Sequence, residues 1–168
     1  MASTMTIGQR IERFRRDHFV GRAFELQLFA ELLEGIDDRS ERIVNVHGMA
    51  GIGKTYLLDR YAWLAAESGA AVVRANAAEA LHSRERLCRL LEEGAIAAGG
   101  AAFAASDAAD DAGAAGRCLQ ALNGLAESRA LVLLLDGYEE MGALDHWFRT
   151  SFVPSLGSRS LLVVAGRY

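Results

Sequence analysis

Two hydrophobic patterns alternate along most of the chain. Phe24, Leu28, Phe29, Leu32 and Leu33 recur at helical spacing, and Gly35 follows as a stop. Ile43-Val44-Asn45-Val46 is a short β-branched run that predicts a strand, cut off by the glycine-rich stretch Gly48–Gly53. Leu57, Leu58, Tyr61, Leu64 and Ala65 lie on one face of a helix predicted from Lys54 to Ser68, with Gly69 behind it. Ala70–Arg74 predicts a second strand, and Glu79–Glu93 a helix carrying Leu87, Leu90 and Leu91. Helix resumes over Arg117–Glu127. Leu131–Leu135 is apolar at every position, as a strand buried on both sheet faces should be. A last helix over Ala143–Phe152 ends ahead of Pro154, and Leu161–Ala165 predicts a fourth strand. Ahead of all these, Thr6 and Gln9 have capping-box spacing and predict a short helix to about Arg16. Strands that alternate with helices need crossover connections. The fold class is therefore α/β, a mainly parallel sheet with helices on both faces.

The organisation is that of one domain of 168 residues: a helical extension over 1–18 and a core over 19–168. In the segment 94–116, 17 of 23 residues are alanine or glycine. Its five glycines and Asp107, Asp110 and Asp111 predict a mobile insertion. Composition narrows the partners. A net charge of -4 lacks the positive field of a dedicated nucleic-acid binder, so no direct nucleic-acid binding is expected of this domain. No apolar run approaches the roughly 18–20 residues that span a bilayer, and the N-terminal residues have no apolar signal region. A cytoplasmic protein without membrane contact is expected. Cys88 and Cys118 have neither metal-type nor redox-type spacing, and His18, His47, His82 and His146 are scattered.

The basic residues are 17 arginines and a single lysine, Lys54, and that lysine sits in the strongest motif of the chain. Gly48-Met49-Ala50-Gly51-Ile52-Gly53-Lys54-Thr55 matches G-x-x-x-x-G-K-[ST] at every fixed position, between a predicted strand and a predicted helix. Backbone amides converge on phosphate oxygens only where no Cβ blocks them. The helix beginning at Gly53, with Tyr56 in its first turn at the binding site, aims its N-terminal dipole at the anion. Lys54 supplies a compact charge for the β- and γ-oxygens, and Thr55 a hydroxyl for Mg²⁺. Such a site also needs a carboxylate at the end of a buried strand. Asp136 arrives where Leu131–Leu135 stops, although Asp136-Gly137 is also a good turn dipeptide. Glu139 and Glu140 follow; either could orient and deprotonate an attacking water, with Glu139 the first choice, or both could belong to a solvated acidic loop. Arg167, after the last strand, could reach a γ-phosphate from the edge where open α/β sheets bind ligands.

Together, FVGRAFEL (19–26), GMAGIGKT (48–55), LVLLLDGYEEM (131–141) and LLVVAGR (161–167) resemble the STAND class of P-loop ATPases, the NACHT, NB-ARC and related AAA-type regulatory switches. The segment from Asp136 to Met141 looks like the NACHT form of the Walker B motif, with Glu139 where that family usually has aspartate. The resemblance implies a three-layer P-loop NTPase domain with strand order 2-3-4-1. It implies ATP or ADP with Mg²⁺ as cofactors, Asp136 serving the metal, Glu139 or Glu140 serving water, and Arg167 as the sensor arginine. Val20 and Arg22 would lie near the adenine. A helical lid and a further strand follow the sensor strand in that class, so the chain reads as a fragment or a shortened product, with protein partners or self-association through regions outside it. Three functions stay open: a slow ATP hydrolase acting as a regulatory switch, a nucleotide-binding module without turnover, and a small-molecule phosphotransferase. A GTPase is disfavoured, because its guanine-reading N-K-x-D motif needs a lysine and the only one is in the phosphate loop.

Overall fold

The computed structural model describes residues 6, 22–38, 40, 42–101 and 111–167. Strands β1 (Ile43–His47), β2 (Ala71–Asn76), β3 (Leu131–Asp136) and β4 (Ser160–Gly166) form one sheet in the order β1-β4-β3-β2, all neighbours parallel. Read from the other edge this is 2-3-4-1, the order that the resemblance implies. Helices α1 (Ala23–Glu34), α2 (Lys54–Glu67), α3 (Arg84–Ala97), α4 (Asp111–Ser128) and α5 (Leu144–Trp147) fill the two outer layers.

The period of two along each strand divides the core between the sheet's faces. Val132 and Leu134 of β3 and Leu161, Val163 and Ala165 of β4 pack with Phe29 and Leu33 of α1 and Leu57, Leu58, Tyr61 and Ala65 of α2. Their neighbours Leu131, Leu133, Leu135, Leu162 and Val164 join Val73 of β2 and the apolar faces of α3, α4 and α5 on the other side. Cys88 and Cys118 meet there, fully buried. The hydrogen bond of the Cys118 thiol with Cys88, and then burial, push that thiol upward, and full burial gives both cysteines the place of core residues. No described helix is long and apolar enough to cross a membrane.

Within this frame several boundaries differ from the sequence reading. The helix expected over Glu79–Glu93 is a 3₁₀ turn, Ala77–Ala80, followed by α3. Left-handed Leu81 and His82 separate the two, and Ser83 caps α3 by accepting from the Arg86 amide. The helix expected over Ala143–Phe152 is the short α5, a π-helical turn Phe148–Phe152 and a 3₁₀ turn Val153–Ser155 that contains Pro154. The mobile insertion expected over 94–116 needs correction at both ends. Helix α3 runs to Ala97 and α4 begins at Asp111, while residues 102–110 lie outside the described set. Ala95 and Ala114 are buried, and a Cβ on Gly94 would come within 2.9 Å of Val73 Cγ1. Small residues here bring α3 down onto β2; they do not loosen the chain. The N-terminal extension lies outside the described residues apart from Thr6.

The Tyr61 ring stacks on Phe29 with centroids 4.2 Å apart, and its hydroxyl donates to the Glu25 carbonyl at 3.2 Å. Burial, and then the Glu25 charge, push this phenol from its ordinary 10.0 up to about 12. The unfolded chain thus gives up the proton near the ordinary value while the folded chain holds it. The associated stability is complete below the lower value and is lost as pH rises to the upper one. Alkaline unfolding should therefore steepen between about pH 10 and 12. Tyr61→Phe should flatten that limb of a stability-against-pH curve, and an unchanged slope would contradict the buried phenol.

Candidate functional site

Parallel strands end together at one edge of the sheet, and there the functional side chains gather. Phosphate-loop residues connect β1 to α2. Gly51 and Gly53 take φ of 81° and 85°, left-handed values that suit glycine. Gly48 has φ of 156°, a conformation side chains rarely adopt, and a Cβ there would also displace the end of the Ile52 side chain, 2.2 Å away at Cδ1. Gly53 starts α2, whose first turn has no side-chain cap, so its dipole and orphan amides are turned toward the cleft. The Lys54 ammonium folds back over the loop and donates to the Gly48 carbonyl at 2.7 Å and the Met49 carbonyl at 2.9 Å.

Across the cleft, Thr55 Oγ1 donates to Asp136 Oδ2 at 2.8 Å, joining the first turn of α2 to the end of β3. The other carboxylate oxygen accepts the Gly137 amide at 2.9 Å, which fixes the group's orientation. Glu139 is held from β4: Arg167 Nε lies 3.2 Å from its Oε1, and the Arg167 amide donates to Oε2 at 3.0 Å. Gly166 makes this approach possible, because a Cβ would stand 3.2 Å from Glu139 Oε2 and 3.3 Å from Tyr138 Cβ.

The cleft between these elements has a volume of about 570 Å³ and is lined by Lys54, Thr55, Asp136, Glu139, Glu140 and Arg167, together with Ala50, Gly51, Gly53 and Tyr56. Such a volume suits a small-molecule ligand. A family model described as the AAA ATPase domain matches residues 18–164. The chain belongs to that family. No curated protein matches it by sequence. Solved structures share its fold. One describes the structural basis for katanin self-assembly (17% identity, TM-score 0.52, covering 99% of this chain and 54% of that one). Another is the Aeropyrum pernix ORC2 protein in ADPNP–ADP complexes (16%, 0.51, 92% and 45%). A third is the replication initiator DnaA bound to AMPPCP and single-stranded DNA (16%, 0.51, 92% and 41%). The chain thus spans about half the length of these proteins or less.

For this AAA ATPase domain the sequence-predicted residues divide in three. Ala50, Gly51, Gly53, Lys54, Thr55, Tyr56, Asp136, Glu139, Glu140 and Arg167 converge on the cleft. Gly48, Met49 and Ile52 do not line it; their carbonyls serve Lys54 and Arg22 instead. Val20 lies outside the described residues. The cleft also takes in Asp59, Asn76 and Ala78, which the sequence reading passed over. Asn76 ends β2 in register with Asp136, and its side-chain oxygen caps the next turn by accepting from the Ala78 amide at 3.0 Å. Asp59, on α2, is ion-paired with Arg74 of β2.

The donor set fits a nucleotide and a hard cation. Among the described residues no three His, Cys, Asp or Glu side chains are grouped to hold a metal alone. A hydroxyl and one carboxylate in contact suit Mg²⁺, which binds few protein oxygens and completes its shell with phosphate and water.

Proposed function

We propose that this domain is the ATP-binding core of a STAND-type regulatory switch in the cytoplasm, with slow Mg²⁺-dependent hydrolysis. The carrying observation is the 2.8 Å hydrogen bond between Thr55 and Asp136, which brings the phosphate-loop helix and the end of the buried strand to one point. Bound Mg-ATP supplies the reacting phosphoryl group. The amides of Gly51 and Gly53 and the Lys54 ammonium would hold phosphate oxygens, with Thr55 and Asp136 holding the metal's side. Glu139, 26% exposed in its side chain, stands at the cleft to take a proton from water, and Arg167 fixes which way it faces. Partners would be other proteins or further copies of the chain. Self-assembly, described for the katanin neighbour, is consistent with that reading.

A second reading, a nucleotide-binding module without turnover, is favoured by the same Arg167 contacts, since both oxygens of Glu139 are engaged. Glu139→Gln separates the two. Under the switch reading, single-turnover ATP hydrolysis should fall about a hundredfold while ADP affinity is kept. A fall in Glu140→Gln alone would transfer the role to Glu140. Wild-type turnover that is negligible, and unaffected by either change, would establish the binding module.

A further inference from the structure

We propose that Arg22 is a positioning residue that holds the Ile52–Gly53 peptide so that the Gly53 amide faces the ligand's phosphates. This rests on the nucleotide-binding reading above. Arg22 Nη2 donates to the Ile52 carbonyl at 2.9 Å across 30 residues of sequence. A trans peptide is planar, and its C=O and N–H point in opposite directions. Fixing the Ile52 carbonyl toward Arg22 therefore fixes the Gly53 N–H away from it. Gly53 lines the cleft whereas Ile52 and Arg22 do not.

The tether is itself anchored. Arg22 precedes α1, with its carbonyl accepting from the Leu26 amide at 3.1 Å, and its Nη1 lies 3.7 Å from Glu25 Oε1. Its φ of 60° is a left-handed value that a non-glycine residue adopts at a cost. One end of the guanidinium thus meets a carboxylate and the other the loop, and its planarity transmits the position of α1 to one peptide of the loop. The glycine at 53, with φ of 85°, has no side chain to restrain that peptide from its own position. The restraint comes from outside the loop. The resemblance placed Arg22 near the adenine end of the nucleotide; the bond to Ile52 gives it a role on the phosphate side as well.

The test compares ADP with inorganic pyrophosphate, which has phosphates and no nucleoside, on the full chain by titration calorimetry. In Arg22→Ala both affinities should fall by the same factor, about tenfold or more, and added guanidinium ion should restore part of both. Arg22→Lys, which keeps a cationic donor, should lose about threefold or less. The ¹⁵N–¹H resonance of Gly53 should also move in ligand-free Arg22→Ala. A loss for ADP with pyrophosphate unchanged would overturn the proposal and assign Arg22 to the nucleoside, and no loss for either would also overturn it. If the wild-type chain bound neither ligand, the nucleotide reading would fail by itself. The Gly53 resonance would then still decide the tether, an unmoved signal overturning it.

Discussion

Lys54→Ala is expected to weaken ATP and ADP binding about a hundredfold or more, a change of about 2.7 kcal/mol, while leaving the fold intact. The structure separates the two effects. Among the described residues the ammonium bonds to the Gly48 carbonyl, which is partly buried, and to the exposed Met49 carbonyl, and neither hydrophobic cluster includes Lys54. Truncation opens the loop over both carbonyls to water, and stability should move by less than about 1 kcal/mol. Arginine is no substitute, because a planar fork cannot occupy the place of a compact charge. Calorimetric titration with ATP, beside a thermal melt of the same sample, checks the prediction. Unchanged affinity in a folded Lys54→Ala protein would remove the phosphate-loop assignment.

The largest loss of stability is expected at the middle of the sheet. Leu134 is 1% exposed on β3, a strand with a parallel neighbour on each side, and packs into the face covered by α1 and α2. Leu134→Ala should cost about 3–4 kcal/mol and lower Tm by about 10 °C. Leu28→Ala, at a position 37% exposed on α1, is the control and should stay within about 1 kcal/mol. Calorimetric unfolding that found similar losses for both would contradict the full burial of Leu134.

How far the sequence carries depends on whether a signal is local. Leu131–Leu135 could be read as doubly buried because a single-faced strand would show polar positions, and the structure buries all five. The phosphate loop was legible because phosphate binding needs adjacent residues in fixed spacing. Asn76 is not: alanine and asparagine are weak strand formers, so the pattern stops β2 two residues short, and the place of Asn76 beside Asp136 exists only in the sheet register. Glu139 and Glu140 are neighbours in sequence, and what distinguishes them is Arg167, 28 residues beyond Glu139. Glycine misled in one place. By composition Gly94 and Gly100 suggest flexibility, but a Cβ on Gly94 would press on Val73 at 2.9 Å and one on Gly100 on the Ala95 carbonyl at 2.8 Å. Composition cannot tell a glycine that frees a chain from one that lets two elements touch.

The self-contained bonding of Lys54 and Thr55 has a consequence for affinity. Each already holds an oxygen, a loop carbonyl in one case and the Asp136 carboxylate in the other. A phosphate or a metal would therefore enter by exchange, one set of oxygens replacing another, with the number of bonds nearly conserved. Only the difference in strength between old and new partners would then appear as binding free energy. The site would discriminate by charge density, since a neutral oxygen-rich molecule offers these groups nothing better than the protein atoms they already hold.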